Sequence, residues 1–204
     1  LTKNLIPNVD FETVIDEGFL NNPYRSVRYL DESSGSLGYS YEAELYPHTR
    51  NSDAVAIRTM YYLPYRASLR FEARYFSDSW GIEANNYELR YIHPLGKNLI
   101  LEAKLRSYQQ DGADFYSDLF AFKAATNFRA RDKELSTYTN TSFGLGLTYE
   151  LKTEYLSWFN KSTINLHWDR MQFDYDDFRD VTDGGEAGNE PLYNFDADVI
   201  RFYF

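Results

Sequence analysis

The chain contains no cysteine. Disulfide scaffolds and zinc–thiolate sites are therefore excluded, while the redox compartment stays open. There is no basic block either. The 21 Lys and Arg face 31 Asp and Glu, for a formal charge of -10. So acidic a chain is a poor binder of nucleic acid. Long apolar runs are missing, and a transmembrane helix needs about 20 apolar residues, so none is expected. No signal peptide is visible, and the chain begins at Leu1 rather than Met. A processed form or a fragment is the expectation.

Aromatics are abundant, with 19 Tyr, 15 Phe and 3 Trp among 204 residues. Disordered chains are poor in such residues. The length suits one compact domain or two small ones.

Helical periodicity is almost absent, and period-two alternation recurs in runs of about ten residues. Leu69, Phe71, Ala73 and Tyr75 oppose Arg70, Glu72 and Arg74. Leu99, Leu101, Ala103 and Leu105 oppose Glu102, Lys104 and Arg106. Phe143, Leu145, Leu147 and Tyr149 alternate with Gly144, Gly146 and Thr148. In all, eight strands are predicted, near 4–16, 52–63, 67–77, 82–93, 98–109, 138–151, 161–174 and 195–204. In the last, Asp196 and Asp198 share parity with Ile200, Phe202 and Phe204, which suggests a bulge that shifts the phase.

Connection lengths alternate. Pro64-Tyr65-Arg66 and Pro94-Leu95-Gly96-Lys97 are short turns, whereas 17–51, 110–137 and 175–193 are long. A modest connection precedes the seventh strand. Short turns on one side and mostly long loops on the other mark an outer-membrane barrel. A soluble sandwich shows the same alternation with its apolar face turned inward. Three features favour the barrel. The polar faces of strands three to five carry charges of both signs. Tyr and Phe recur near strand ends, as an interfacial girdle requires. The ending Ile200-Arg201-Phe202-Tyr203-Phe204 resembles the C-terminal signal of outer-membrane barrels. The fold expected is an antiparallel transmembrane up-and-down β-barrel with at least eight strands. A last strand ending in the periplasm makes the short turns periplasmic and the long segments extracellular.

Several stretches also resemble a bacterial outer-membrane family catalogued as a domain of unknown function, number 3570. They are Asp16-Glu17-Gly18-Phe19-Leu20-Asn21-Asn22-Pro23-Tyr24-Arg25, Ala113-Asp114-Phe115-Tyr116-Ser117-Asp118 and Ala130-Arg131-Asp132-Lys133-Glu134-Leu135-Ser136. Tyr46-Pro47-His48-Thr49-Arg50 and Trp80-Gly81-Ile82 fit the same pattern. The resemblance covers nearly the whole chain and implies a barrel in a Gram-negative outer membrane. It implies no known activity, so no catalytic residues carry over. Family members look longer at the N-terminus. Leu1-Thr2-Lys3-Asn4 reads like a periplasmic turn after earlier strands. Residues 1–204 are thus read as one outer-membrane β-barrel domain, the C-terminal part of a longer chain, with outer-membrane lipid as its first partner.

A simple meander sets Arg58 opposite Glu72, Glu72 opposite Arg90 and Arg90 opposite Glu102. It also sets Arg74 opposite Glu88 and Glu88 opposite Lys104. Two charge rows result, Arg58–Glu72–Arg90–Glu102 and Arg74–Glu88–Lys104, each pair adding a few tenths to about 1 kcal/mol. They brace the wall or line a selective lumen. The loop Asp111 to Ser136 holds Asp114, Phe115, Tyr116, Phe120, Phe122, Phe128, Arg129, Arg131, Asp132, Lys133 and Glu134. It is expected to plug the lumen, cover a partner site, or pack on itself.

Asp174, Asp176, Asp177, Asp180, Asp183 and Glu186 are hard donors of the kind calcium takes, at a spacing unlike an EF-hand. No metal site or cofactor is assigned. His48 is expected in an external loop, His93 beside a periplasmic turn, and His167 with Asp169 inward on the seventh strand. None sits in a hydrolase motif. The leading expectation is a channel or pore-forming scaffold for small solutes, not an enzyme. The alternative is a structural barrel anchoring a surface or periplasmic protein partner through its loops. A third is an outer-membrane hydrolase, which needs a serine such as Ser142 beside His167.

Overall fold

Alternating runs rich in Tyr, Phe, Leu and Val suit a pleated strand, where successive side chains take opposite faces. The computed structural model describes residues 3–151 and 162–204. Its strands are β1 (Leu5–Glu17), β2 (Ser26–Leu30), β3 (Tyr39–Ala43), β4 (Thr49–Tyr62), β5 (Ser68–Asp78), β6 (Glu83–Leu95), β7 (Leu99–Gln110), β8 (Tyr138–Leu151), β9 (Ser162–Tyr175) and β10 (Phe195–Tyr203). Each of the eight predicted runs is a strand. The expected connection over 152–160, and Leu1-Thr2 of the expected first turn, lie outside the described residues. Among the described residues the helical elements are two short 3-10 segments, and no helix is long and apolar enough to cross a membrane.

Eight strands form one antiparallel sheet in the order β1-β4-β5-β6-β7-β8-β9-β10. Two departures from the sequence reading follow. The segment read as a long loop, 17–51, contains a separate hairpin, β2 paired with β3. The sheet is also open rather than closed into a barrel. Seven ladders join its eight strands, and none links β1 to β10 among the described residues.

The sheet is a single layer with inverted polarity. On β8 the small or polar Asn140, Ser142, Gly144 and Gly146 are buried, while Phe143, Leu145, Leu147 and Tyr149 are exposed. On β4 Ala54 and Ala56 are buried, while Ile57 and Tyr61 are exposed. Among the described residues no second layer packs on the sheet, and the face that carries the small and polar residues is the more buried one. The outer face carries a bare apolar band. Phe143 to Tyr149 span about 20 Å of strand at roughly 3.3 Å per residue.

The band ends in step on neighbouring strands. The pair Phe11–Val55 gives way to Thr13–Asp53, Leu105–Phe143 to Ser107–Thr141, and Ile200–Trp168 to Asp198–Arg170. Tyr75, Tyr87, Phe143 and Trp168 mark this limit, and Tyr61, Tyr91 and Tyr149 mark the other.

The expected phase shift in β10 is absent. The register runs unbroken from Phe195–Phe173 to Tyr203–Asn165. Asp196 and Asp198 therefore share the outer face with Ile200 and Phe202. Arg170 neutralises both, at 2.6 Å each, which removes the need for a bulge.

The hydrophobic core lies at one end, among the long loops. It comprises Tyr46, Trp80, Ile82, Ala113, Phe115, Ala130 and Leu135. Trp80 packs edge-on against Tyr46 and Phe115, at 5.5 and 5.3 Å between ring centres. Its Nε1 donates to the Thr49 carbonyl at 2.9 Å.

The inward glycines of β8 have a packing reason. A Cβ on Gly144 would lie 2.4 Å from Asp169 Oδ1 and 3.0 Å from Lys104 Cε. The bare backbone lets Lys104 of β7 reach Asp169 of β9 across β8, at 2.6 Å. We predict that Gly144→Val separates this pair and costs about 1–3 kcal/mol by overpacking. Chemical unfolding of the variant measures it, and an unchanged midpoint would contradict the packing described.

Candidate functional site

The face of the sheet opposite the apolar band is charged. Arg58 pairs with Glu72 at 2.7 Å and Asp10 at 2.6 Å, and Arg70 also reaches Glu72 at 2.9 Å. Arg74 pairs with Glu12 at 2.9 Å, passing over β4. Arg90 holds Glu88 at 2.9 Å and Glu102 at 3.1 Å. Asp169 is shared by Lys104 and Arg201.

The two straight charge rows expected from the sequence do not form. Arg58 does face Glu72. Beyond that, Glu72 faces Glu88, Arg70 faces Arg90, Arg74 faces Asn86, and Arg90 faces Lys104. Glu88 faces Arg106, and Glu102 faces Ile92. Each misplaced register is two residues off. A two-residue slip keeps every side chain on its face, so alternation does not reveal it; turn geometry does. At the β5–β6 turn the Asp78 carboxylate accepts from the Trp80 and Ile82 amides, and Gly81 takes φ +88°. At the β6–β7 turn β6 runs on through Pro94 to pair Leu95 with Leu99. Like charges then face each other, and long side chains relieve this diagonally, as Arg90 does with Glu102.

The long segments knit into a crown at one end. Tyr29 bridges to Phe120, Leu45 to Arg129, and Arg179 to Leu192. At the centre Arg28 is fully buried. Its guanidinium is gripped by Asp118 and Glu190, and its Nε donates to the Asp118 carbonyl at 2.9 Å. Arg131 reaches Asp118 at 2.9 Å and the Arg179 carbonyl at 3.0 Å. One buried cation thus ties β2 to loops 90 and 162 residues away. The sequence reading missed this clamp. Its only local signal is a lone Arg among Val27, Tyr29 and Leu30.

The loop residues singled out from the sequence take distinct places. Phe115 is in the core. Tyr116 donates its hydroxyl to the Asp177 carbonyl at 3.3 Å. The Asp114 amide donates to the Trp80 carbonyl, and its carboxylate lies over Gly81, where a Cβ would be 2.3 Å away. Arg129 faces Glu42 at 3.1 Å. Asp132 pairs with Arg25 and caps the turn at Glu134. Lys133 Nζ sits 5.1 Å from the Tyr193 ring centre.

Gln110 at the end of β7 donates to the carbonyls of Glu134 and Ser136, at 2.9 Å each, and so holds this turn against the charged face. Between them lies a pocket of about 440 Å3 with Trp80, Arg50, Arg74, Asp16 and Glu134 in its lining.

His48 contacts the Gly18 carbonyl at 3.1 Å, and His93 the Tyr91 hydroxyl at 2.9 Å. His167 lies over Gly146 on the charged face. The Ser142 hydroxyl donates to Asn140 Oδ1 at 3.0 Å. Ser142 faces Met171, four residues from His167, about 13 Å along the strand. The Ser142–His167 pair needed by the hydrolase reading is not made. Nor do the acids of 174–186 converge. Asp177 accepts from the Thr137 amide and Asp180 from Thr182. Among the described residues no group of three His, Asp or Glu is placed to hold a metal.

Burial alone would lower the Arg28 pKa, but Glu190 and Asp118 outweigh it and keep the guanidinium charged. Burial would likewise raise Glu190, and Arg28 instead holds its carboxyl below the usual range. Burial pushes Glu44 up despite the Tyr46 hydroxyl that donates to it at 2.6 Å.

The lowered Glu190 pKa means the clamp contributes fully above about pH 4.3 and weakens as pH falls through the folded value. Near-UV circular dichroism of the aromatic crown should fade in that window. Arg28→Met should cost about 3–5 kcal/mol by leaving the buried Glu190 carboxylate without its counter-ion, while Asp118 keeps Arg131. Proteolysis confined to the loops, with the sheet intact, is the expected readout.

Neither a curated protein nor a solved structure matches the sequence. A family model matches residues 1–172, under the description Protein of unknown function (DUF3570). An all-β chain with a charged inner face, a bare outer band and a clamped loop crown thus belongs to the DUF3570 family.

Proposed function

We propose that the sheet is the wall of a bacterial outer-membrane β-barrel that acts as a channel or pore-forming scaffold for small solutes. The inverted polarity carries this reading. Each exposed Leu or Phe of the band forfeits about 1.5–3 kcal/mol of burial in water, and lipid restores it. Sheet strands of 9 to 14 residues meet the roughly 9–11 that a tilted crossing needs. Aromatics at both limits of the band fit the interfacial girdles. Lipid tolerates no unpaired backbone edge, so in this reading β1 and β10 pair with each other or with further strands. The loop crown then faces outside the cell, and the charged face lines the lumen.

A second reading has its own observation. Phe19, Tyr24 and Phe122 are 69%, 95% and 60% exposed on the crown, which suits a structural barrel anchoring a protein partner.

One measurement tests the membrane wall that both readings share, and a second separates them. Leu145→Arg, in the middle of the band, should lower stability in lipid vesicles by about 2–4 kcal/mol. No loss there would remove the band from the membrane. In planar bilayers the full-length protein should give stable conductance steps. Glu72→Gln should shift selectivity toward anions and Arg90→Gln toward cations. Insertion without conductance would favour the anchor.

A further inference from the structure

The pocket beneath the loop crown holds two carboxylates that have no partner among the described residues. Asp16 stands opposite Arg50 in the β1–β4 ladder. Arg50 turns away from it. Its Nε donates to Asp78 Oδ2 at 2.7 Å, and its guanidinium lies 4.6 Å from the Trp80 ring centre. The Asp16 carboxylate lines the pocket and has no hydrogen-bond or ion-pair partner among the described residues. Glu134, on the turn that faces it, is alike. Its carbonyl accepts from Gln110, while its carboxylate is unpartnered among the described residues. On the sheet wall Arg74 gives one Nη to Glu12 at 2.9 Å. A guanidinium has five N–H donors, so Arg74 keeps donors to offer.

The lining therefore has two poles. Asp16 and Glu134 form an anionic rim, and Arg50 and Arg74 a cationic wall. Between them lie the rings of Phe76 and Trp80 and the side chain of Leu135. At about 440 Å3 the space is within the range that holds a small organic ligand.

We propose that this pocket binds small zwitterionic solutes that carry an apolar side group, the chemistry of amino acids and short peptides. The ammonium lies at Asp16 and Glu134, the carboxylate at Arg74 and Arg50, and the side group against the rings. A simple ion answers one pole only. A sugar answers neither charge, and a hydrocarbon would strip water from both poles without return. As a selectivity site this deepens the channel reading and rests on it; binding itself needs no conduction.

Calorimetry on the full-length protein in detergent, titrated with glycyl-leucine, tests the proposal. The controls are N-acetyl-glycyl-leucine, which lacks the ammonium, and glycyl-leucinamide, which lacks the carboxylate. The dipeptide should bind saturably, and each control about tenfold more weakly, since each loses charge-assisted hydrogen bonds. Asp16→Asn with Glu134→Gln should weaken the dipeptide to the level of the acetylated control and leave that control unchanged. Arg74→Gln should weaken the dipeptide and leave the amide unchanged. Asp16 and Glu134 are exposed, so the fold is not at risk in the first variant. No saturable heat, equal affinity for all three compounds, or wild-type affinity in the variants would overturn it. The two readings fail separately. Dipeptide binding without conductance keeps the site and removes the pore, and conductance without binding does the reverse.

Discussion

A β-strand has two sides, and in this sheet the apolar side has no protein to cover it. That constraint governs the remaining structure. With Leu, Phe and Tyr turned outward, the other side must take the polar and charged residues of the same strands. Those charges crowd together on one face, and most of them find a partner of opposite sign. Small residues make the crowding feasible. Ala54 and Ala56 on β4, and Gly144 and Gly146 on β8, give room to the arginines and carboxylates beside them. The sheet has no conventional core, so its hydrogen-bonded ladders and ion pairs do the work that apolar packing does elsewhere.

Apolar packing moves instead to the loop end. There Trp80, Tyr46 and Phe115 make a small conventional core, and the buried Arg28 clamp joins three segments distant in sequence. A buried ion pair is costly to desolvate, and it holds its segments together chiefly through the penalty for leaving one of its charges buried and unpaired. In this crown it selects one arrangement of segments that are otherwise rich in Gly, Ser and Asp. The crown in turn fixes the turn at Asp132–Leu135 over the charged face, and the pocket exists because of that placement.

Much of the fold was legible from alternation. The eight long strands, their faces, and the division between short turns and long loops all follow from period two, because burial and exposure share that period in a sheet. The β2–β3 hairpin was not legible. Its strands are short, and Arg28 and Glu42 interrupt the apolar pattern. The register was half legible. Arg58 opposite Glu72 follows from a tight turn, whereas the β5–β6 and β6–β7 ladders depend on how the Asp78 carboxylate and Gly96 shape their turns. Of the loop residues proposed from composition, Arg131 and Asp132 prove to be structural ties, and Asp132 and Glu134 line the pocket.

The sequence by itself determined which residues form strands and which side of each strand is apolar, because side-chain direction alternates with the backbone whatever the strand packs against. It also determined membership in a family. Only the tertiary structure decided that the apolar side is the bare one, that like charges face each other and pair diagonally, and that Arg28 is the hub of the loops. These depend on contacts between residues up to 162 positions apart, and no local pattern encodes which distant partner a side chain will meet.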